Sequence, residues 1–160
     1  MKYLFVNLLL FTSIYLIKAQ TKEETQKWIK EKIELYAFSD DKELFYNYLV
    51  KFSETDIIIE DNLLSKVGGV PVNLKTKYWI PIKELTKIRF ENKGSTIWLY
   101  FKIYEGKKLI KRKNPELTFV SEVALILEKS ISEKNLENRL LKAFKHLIKI
   151  HGGNIVEETF

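Results

Sequence analysis

The most distinctive charged feature of the sequence is a basic run at residues 107–113. Its cationic members are Lys107, Lys108, Lys111, Arg112 and Lys113, and it contains no acid. Successive side chains of a β-strand point to opposite faces, so Lys107, Lys111 and Lys113 are predicted to share a face. Three such cations can bind an anionic lipid surface, a polysaccharide or an envelope protein. The alternative is an edge strand whose lysines prevent pairing with other chains.

Four aromatic side chains form a second candidate site on the outer face of the predicted sheet. They are Trp79, Trp98, Tyr100 and Tyr104. An exposed aromatic patch of this kind binds sugars or a protein partner. The alternative is that the N-terminal helix covers these rings, because its Trp28 and Ile33 need apolar partners.

Catalytic residue types are sparse and badly spaced. The two histidines, His146 and His151, lie about 140° apart on one predicted helix, so they cannot ligate a metal as an i, i+4 pair would. The carboxylates at 40–41 and at 56 and 61 are assigned to turns. No nucleophile elbow, phosphate-binding loop or paired-histidine zinc motif is present, and the absence of cysteine excludes thiol chemistry and thiolate metal sites. We therefore expect no catalytic residue, no metal and no cofactor.

The spacing of apolar residues predicts the elements that position these side chains. A capping box at Thr21 and Glu24 begins a helix over residues 22–36. Period-two alternation predicts seven strands within 42–128, with a loop over 61–71. The strands are predicted at about 44–52, 57–59, 74–82, 87–91, 97–104, 107–113 and 117–127.

A second helix is predicted over residues 132–151, with Ser132 as its N-cap and Gly152 and Gly153 as its stop. Its apolar residues recur at spacings of three and four and form one stripe, which must pack on an apolar surface. The stripe comprises Leu136, Leu140, Phe144, Leu147 and Ile148, with Leu141 beside them. A basic stripe on the same helix, Arg139, Lys142, Lys145 and Lys149, is interpreted as its solvated face.

These elements predict an α+β fold with an N-terminal helix, a seven-stranded antiparallel barrel or sandwich, and a C-terminal amphipathic capping helix. In strand order and terminal helix, residues 42–153 resemble the pleckstrin-homology-like barrel. Pleckstrin-homology domains that bind phosphoinositides use basic residues in the first strand pair. The corresponding residues 44–59 contain only Lys51, so the resemblance does not imply that lipid role.

Residues 1–19 have the pattern of a secretory signal peptide. Lys2 precedes an uncharged apolar run over residues 3–17, and Ala19 follows as a small residue before Gln20. A membrane-spanning helix needs about 20 apolar residues, which makes an anchor the less favoured alternative. We predict cleavage near Ala19-Gln20, export to the periplasm or the medium, and a single globular domain over residues 20–160. Its mildly basic charge does not indicate nucleic-acid binding.

The C-terminal helix also resembles that of small exported bacterial proteins of unassigned function, which carry a terminal AFxHLIxxxGG pattern. The matching residues are Ala143, Phe144, His146, Leu147, Ile148, Gly152 and Gly153, with Trp28 in an early helix. The resemblance implies that the protein is exported and that it has the α+β fold described above. It does not imply any activity. The sequence therefore predicts a non-enzymatic binding or interaction domain at the cell envelope. The alternative is a small hydrolase or isomerase that uses a barrel cavity.

Overall fold

The computed structural model describes residues 21–40, 44–67, 70–104, 107–133 and 135–155, which have an α+β architecture. The helices are α1 (Lys22–Leu35), the short α2 (Ser130–Glu133) and α3 (Leu136–Ile150), with a 3-10 turn at Ile82–Glu84. The strands are β1 (Ser39–Asp40), β2 (Leu44–Phe52), β3 (Asp56–Val67), β4 (Val70–Pro81), β5 (Leu85–Lys93), β6 (Thr96–Ile103), β7 (Ile110–Asn114), β8 (Glu116–Val120) and β9 (Glu122–Glu128).

The nine strands of the described chain form two antiparallel sheets rather than a closed seven-stranded barrel. The larger sheet has the order β1-β2-β3-β4-β7-β8, and the smaller has the order β5-β6-β9. The segment after α1 links them, because the Phe38 N–H donates to the Ile126 carbonyl (3.1 Å) and the Phe38 carbonyl accepts from the Tyr46 N–H (2.9 Å). The sheets therefore form an open, sandwich-like pair that is joined at one edge.

Alternation along the strands determines which side chains enter the core. On the larger sheet, Val50, Ile59 and Ile80 point inward and are fully buried, and on the smaller sheet Leu99 and Leu125 do the same. Neighbouring residues on these strands point outward and are partly or fully exposed. The inner faces supply the β-branched and leucine side chains that pack best on pleated surfaces.

Helix α1 begins at the predicted capping box. The Glu24 N–H donates to Thr21 Oγ1 (3.1 Å), and the Thr21 N–H donates to Glu24 Oε2 (3.0 Å). The helix buries Ile29 and Ile33 completely, and it packs mainly on β2 and α3. The Val50 N–H also donates to Glu34 Oε1 (2.7 Å), which attaches α1 to the larger sheet.

Helix α3 buries the predicted stripe, since Leu136, Leu140, Phe144, Leu147 and Ile148 are all buried. The Phe144 ring packs edge-on against Phe101, with 5.3 Å between ring centroids. This contact joins α3 to the central strand of the smaller sheet, so the helix covers the core as the amphipathic pattern predicts.

The predicted start of the last helix was wrong, whereas its end is confirmed. Ser132 lies in the separate helix α2, and α3 begins after Asn135, whose φ of 51° breaks the helical path. At the other end, Gly152 adopts φ 74°. A Cβ on Gly153 would lie 2.7 Å from the Lys83 carbonyl oxygen, so the close approach of α3 to the 3-10 turn requires glycine.

The loop predicted over residues 61–71 is also wrong, because β3 and β4 are long paired strands. Asp61 pairs with Thr76, and pairing continues to Val67 and Val70. Cross-strand hydrogen bonds with β2 and β4 on both sides of β3 outweigh the low strand propensity of its polar residues. The glycines at 68–69 lie outside the described residues.

The predicted sixth and seventh strands also need correction. Strand β7 covers Ile110–Asn114 rather than the predicted residues 107–113, and it pairs with β4 and β8 in the larger sheet. Residues 105–106 lie outside the described part of the chain. The predicted strand at 117–127 divides at Ser121, whose carbonyl accepts from the Ile103 N–H (3.0 Å). After this division, Phe119 belongs to β8 and lies on the outer face of the larger sheet, opposite Lys111.

The predicted signal peptide lies outside the described residues. Among the helices that the structure describes, none is both long and apolar enough to cross a membrane.

Candidate functional site

The outer face of the larger sheet carries a cluster of lysines from two neighbouring strands. Strand β4 contributes Lys75 and Lys77, and strand β7 contributes Lys111 and Lys113. The register places Lys77 directly opposite Lys113 and Trp79 directly opposite Lys111. We call the four lysines the lysine face.

Acidic neighbours neutralise only part of this positive charge. Glu60 on β3 accepts from Lys77 Nζ (2.9 Å) and lies 3.7 Å from Lys51 Nζ. The hydrogen bond from Lys77 is the main reason that the pKa of Glu60 is lowered. Within the described chain, no carboxylate pairs with Lys75, Lys111 or Lys113, and these three ammonium groups extend into solvent.

The lysine face borders both a cleft and an apolar strip. A cavity of about 410 Å³ opens between Lys75, Lys77 and Lys113, with Pro115 as part of its wall. On the neighbouring strand β8, Leu117 lies opposite Lys113 and Phe119 lies opposite Lys111, and both side chains point outward. Their exposures of 57% and 48% make this edge apolar as well as cationic.

The structure divides the basic run that the sequence singled out. Lys111 and Lys113 join the lysine face, whereas Arg112 lies on the other face of β7, opposite Tyr78, and is exposed. Lys107 precedes β7, and its Nζ lies 3.9 Å from Glu84 Oε2, so it does not share the outward face of β7. The two lysines of β4 were missed by the sequence analysis, because strand pairing between β4 and β7 was not predicted.

The four aromatic residues do not form one patch. Trp79 lies on the outer face of the larger sheet, whereas Trp98 and Tyr100 lie on the outer face of the smaller sheet, 6.0 Å apart between ring centroids. Tyr104 follows β6 and is exposed. Arg89 stacks 4.0 Å from the Tyr100 ring, and α1 packs mainly on β2 and α3, so α1 is not the main cover for these rings.

A polar cluster on the inner face of the larger sheet was also missed. Asp61 pairs across strands with Tyr48 and Thr76, and Tyr46 and Tyr78 lie diagonally from it. From the sequence, Asp61 is predicted to lie in a loop, although its inward position follows from alternation once β3 extends to Val67. The cluster brings one carboxyl group close to three phenols.

Burial controls the ionisation of this cluster. Asp61 Oδ1 is buried without a hydrogen-bond partner in the described chain, and desolvation raises the pKa of this carboxyl to about 6. Desolvation, followed by the Asp61 charge, raises the pKa values of Tyr46, Tyr48 and Tyr78. The Tyr48 hydroxyl is already engaged, since it donates to the Ile126 carbonyl (3.2 Å) and accepts from the Ile126 N–H (2.8 Å).

A groove between α1 and α3 forms a third candidate site, which we call the α1–α3 groove. Its volume is about 370 Å³, and it is lined by Trp28, Arg139, Lys142, Ala143 and His146. Arg139 lies over the Trp28 ring, 5.3 Å from its centroid. From the sequence, Arg139 and Lys142 are predicted to lie on a solvated face, and no local pattern places Trp28 beside them.

The described residues contain no group of three or more histidine, cysteine or acidic side chains that could hold a metal ion. His151 is separate from His146, and burial lowers the pKa of His151. Comparisons of the chain with protein-family models, with curated proteins and with solved structures find no match. The resemblances drawn from the sequence therefore remain predictions.

Proposed function

We propose that this protein is an exported, non-enzymatic domain that docks onto an anionic lipid surface through the lysine face. The observation that carries the proposal is the cross-strand pairing of Lys111 and Lys113 with the exposed Phe119 and Leu117. Cations beside exposed apolar side chains favour a membrane interface, where headgroups meet the lysines and acyl chains receive the apolar groups.

The expected affinity is modest. Each lysine near an anionic membrane surface contributes about 1 kcal/mol, so the three lysines without carboxylate partners contribute about 3 kcal/mol, or roughly 150-fold in affinity. The attraction decays over about 8 Å at physiological salt and about 3 Å at 1 M salt. Binding should therefore weaken steeply as salt is added.

Sedimentation with vesicles of phosphatidylglycerol and phosphatidylcholine tests the proposal. Lys111→Gln/Lys113→Gln should reduce binding to anionic vesicles by at least about tenfold, because about 2 kcal/mol of attraction is removed. The matched control is Lys27→Gln/Lys32→Gln, which removes the same charge from α1. Equal losses in both double variants would mean that only net charge matters.

A second variant separates a lipid surface from a soluble polyanion. Leu117→Ser/Phe119→Ser keeps every charge, so it should retain binding to heparin but lose binding to anionic vesicles. Vesicle binding that is unchanged by this variant would refute membrane docking and favour a polysaccharide. If both lysine and apolar substitutions leave vesicle binding unchanged, the lysine face does not dock onto lipid. The predicted alternative of an edge strand protected by its lysines is wrong, because β7 is paired on both sides, with β4 and with β8.

The proposal includes the pleckstrin-homology-like fold and the export of the chain. Antiparallel sheets covered by a C-terminal helix support the first, and the apolar segment at residues 3–17 supports the second. Neither feature implies a phosphoinositide ligand, because the lysine face is formed by β4 and β7 rather than by the first strand pair.

The Asp61 cluster favours an isomerase as the second candidate function. A partly buried carboxyl with a pKa of about 6 can accept a proton from a carbon beside a carbonyl and return it to another carbon. The Tyr46 or Tyr78 hydroxyl would donate a hydrogen bond to the enolate oxygen. Conversion of β,γ-unsaturated ketones, followed by ultraviolet absorbance, should be abolished by Asp61→Asn. No conversion by the unsubstituted protein would eliminate this candidate.

A further inference from the structure

We infer that the α1–α3 groove binds a small acidic sugar, meaning a single sugar ring that carries a carboxylate or a phosphate. The groove has the size, the unneutralised positive charge and the aromatic wall that such a ligand requires. This site lies apart from the lysine face, so the inference does not depend on membrane docking.

The shape of the groove follows from one small residue on α3. Residues 139, 142, 143 and 146 recur at helical spacings and face the same side of the helix, toward Trp28 on α1. Ala143 is only 8% exposed, and it lies between positions that hold long side chains. Its small side chain lines a groove of about 370 Å³, at the small end of the range of about 300–1,000 Å³ for ligand pockets.

The positive charge of the groove is not cancelled by the neighbouring acids. In the described chain, neither Arg139 nor Lys142 has a carboxylate partner. The acids near Trp28 on α1 are engaged elsewhere, since Glu24 accepts from the Thr21 N–H and Glu31 lies 4.0 Å from Lys27 Nζ. Two cations therefore face the groove with unused hydrogen-bond donors.

The Trp28 ring gives the site its preference for an organic anion over an inorganic one. Its contact with Arg139 holds the guanidinium in place, so an anion can bind there without the full cost of ordering a long side chain. The remaining indole surface and the Ala143 methyl group form an apolar wall against which the C–H groups of a sugar ring can pack. Arg139 and Lys142 then receive the carboxylate or phosphate.

Titration of Trp28 fluorescence tests this inference in a Trp79→Phe/Trp98→Phe background. The probes are glucuronate, glucose 6-phosphate, glucose and inorganic phosphate. We expect glucuronate or glucose 6-phosphate to bind at least about tenfold more tightly than glucose, which lacks the charge, and inorganic phosphate, which lacks the ring. Which of the two binds better identifies the anionic group.

Two substitutions separate a built site from diffuse attraction. Arg139→Gln/Lys142→Gln should lower the affinity at least about tenfold, because it removes both charged donors. Ala143→Leu should also weaken binding, because it places three additional carbon atoms at the groove wall while keeping every charge. Lys83→Gln/Lys108→Gln is the matched control, because it removes the same charge at two exposed lysines outside both candidate sites, and it should leave binding unchanged. Folding of each variant is checked by thermal unfolding.

Three results would overturn the inference. The first is no fluorescence response to either acidic sugar at about 10 mM, roughly the weakest affinity that a specific site would show. The second is equal affinity for inorganic phosphate and glucuronate. The third is unchanged binding in a folded Ala143→Leu variant. Failure of vesicle docking with retained sugar binding would refute the lysine-face proposal alone. The reverse pattern would refute only the sugar site.

Discussion

Replacement of Asp61 by asparagine should stabilise the protein at neutral pH. Burial raises the pKa of this carboxyl from 3.8 to about 6, and Oδ1 has no hydrogen-bond donor in the described chain. Between these two pKa values the native state binds more protons than the unfolded state, so stability falls as pH rises from about 4 to 6. Above pH 6 the Asp61 carboxylate is ionised, and its burial destabilises the native state to the full extent.

The size of the effect follows from the shift of about two pKa units, which corresponds to about 3 kcal/mol. Since Asp61 is only partly buried, solvent screening lowers the expected gain for Asp61→Asn to about 1–2 kcal/mol at pH 8. The gain should vanish below about pH 4, where the aspartic acid is already neutral.

Urea unfolding at pH 4, 6 and 8 measures this dependence, with Glu116→Gln as an exposed control of the same type. For Glu116→Gln, the change in the free energy of unfolding should not increase between pH 4 and pH 8. If Asp61→Asn destabilises the protein at pH 8, the carboxylate makes a favourable contact that the present geometry lacks. A pH-independent gain would show that desolvation of the charge is not the cause.

Three further predictions concern packing and processing. Phe144→Ala should lower the free energy of unfolding by about 3–5 kcal/mol, because it leaves a cavity against Phe101, and a loss below about 1 kcal/mol would contradict the docking of α3. Gly153→Ala should cost at least about 1 kcal/mol in thermal unfolding, since its Cβ would meet the Lys83 carbonyl oxygen, and unchanged stability would contradict that close approach. Mass spectrometry of the exported protein should find an N-terminus at or near Gln20, whereas an intact membrane-bound N-terminal segment would support the anchor.

The sequence was sufficient to predict the elements whose signals are local. The capping box at Thr21 depends on residues three apart, and the amphipathic stripe of α3 depends on one helical period, so both can be read without knowing the fold. Strand β2 agrees with the alternation over residues 44–52 for the same reason. The α+β class follows from these local periods taken together.

Tertiary structure alone decided the sites, because each one combines residues that are distant in sequence. The lysine face requires β4 to pair with β7, which places Lys77 opposite Lys113, and strand alternation cannot specify that partner. The sequence likewise cannot show that residues 61–67, with four polar side chains among seven, form a strand, since hydrogen bonds from both neighbours hold β3 in place and turn Asp61 inward. Helix packing brings Arg139 to Trp28 and creates the α1–α3 groove, because a cavity depends on how two faces meet rather than on either face by itself.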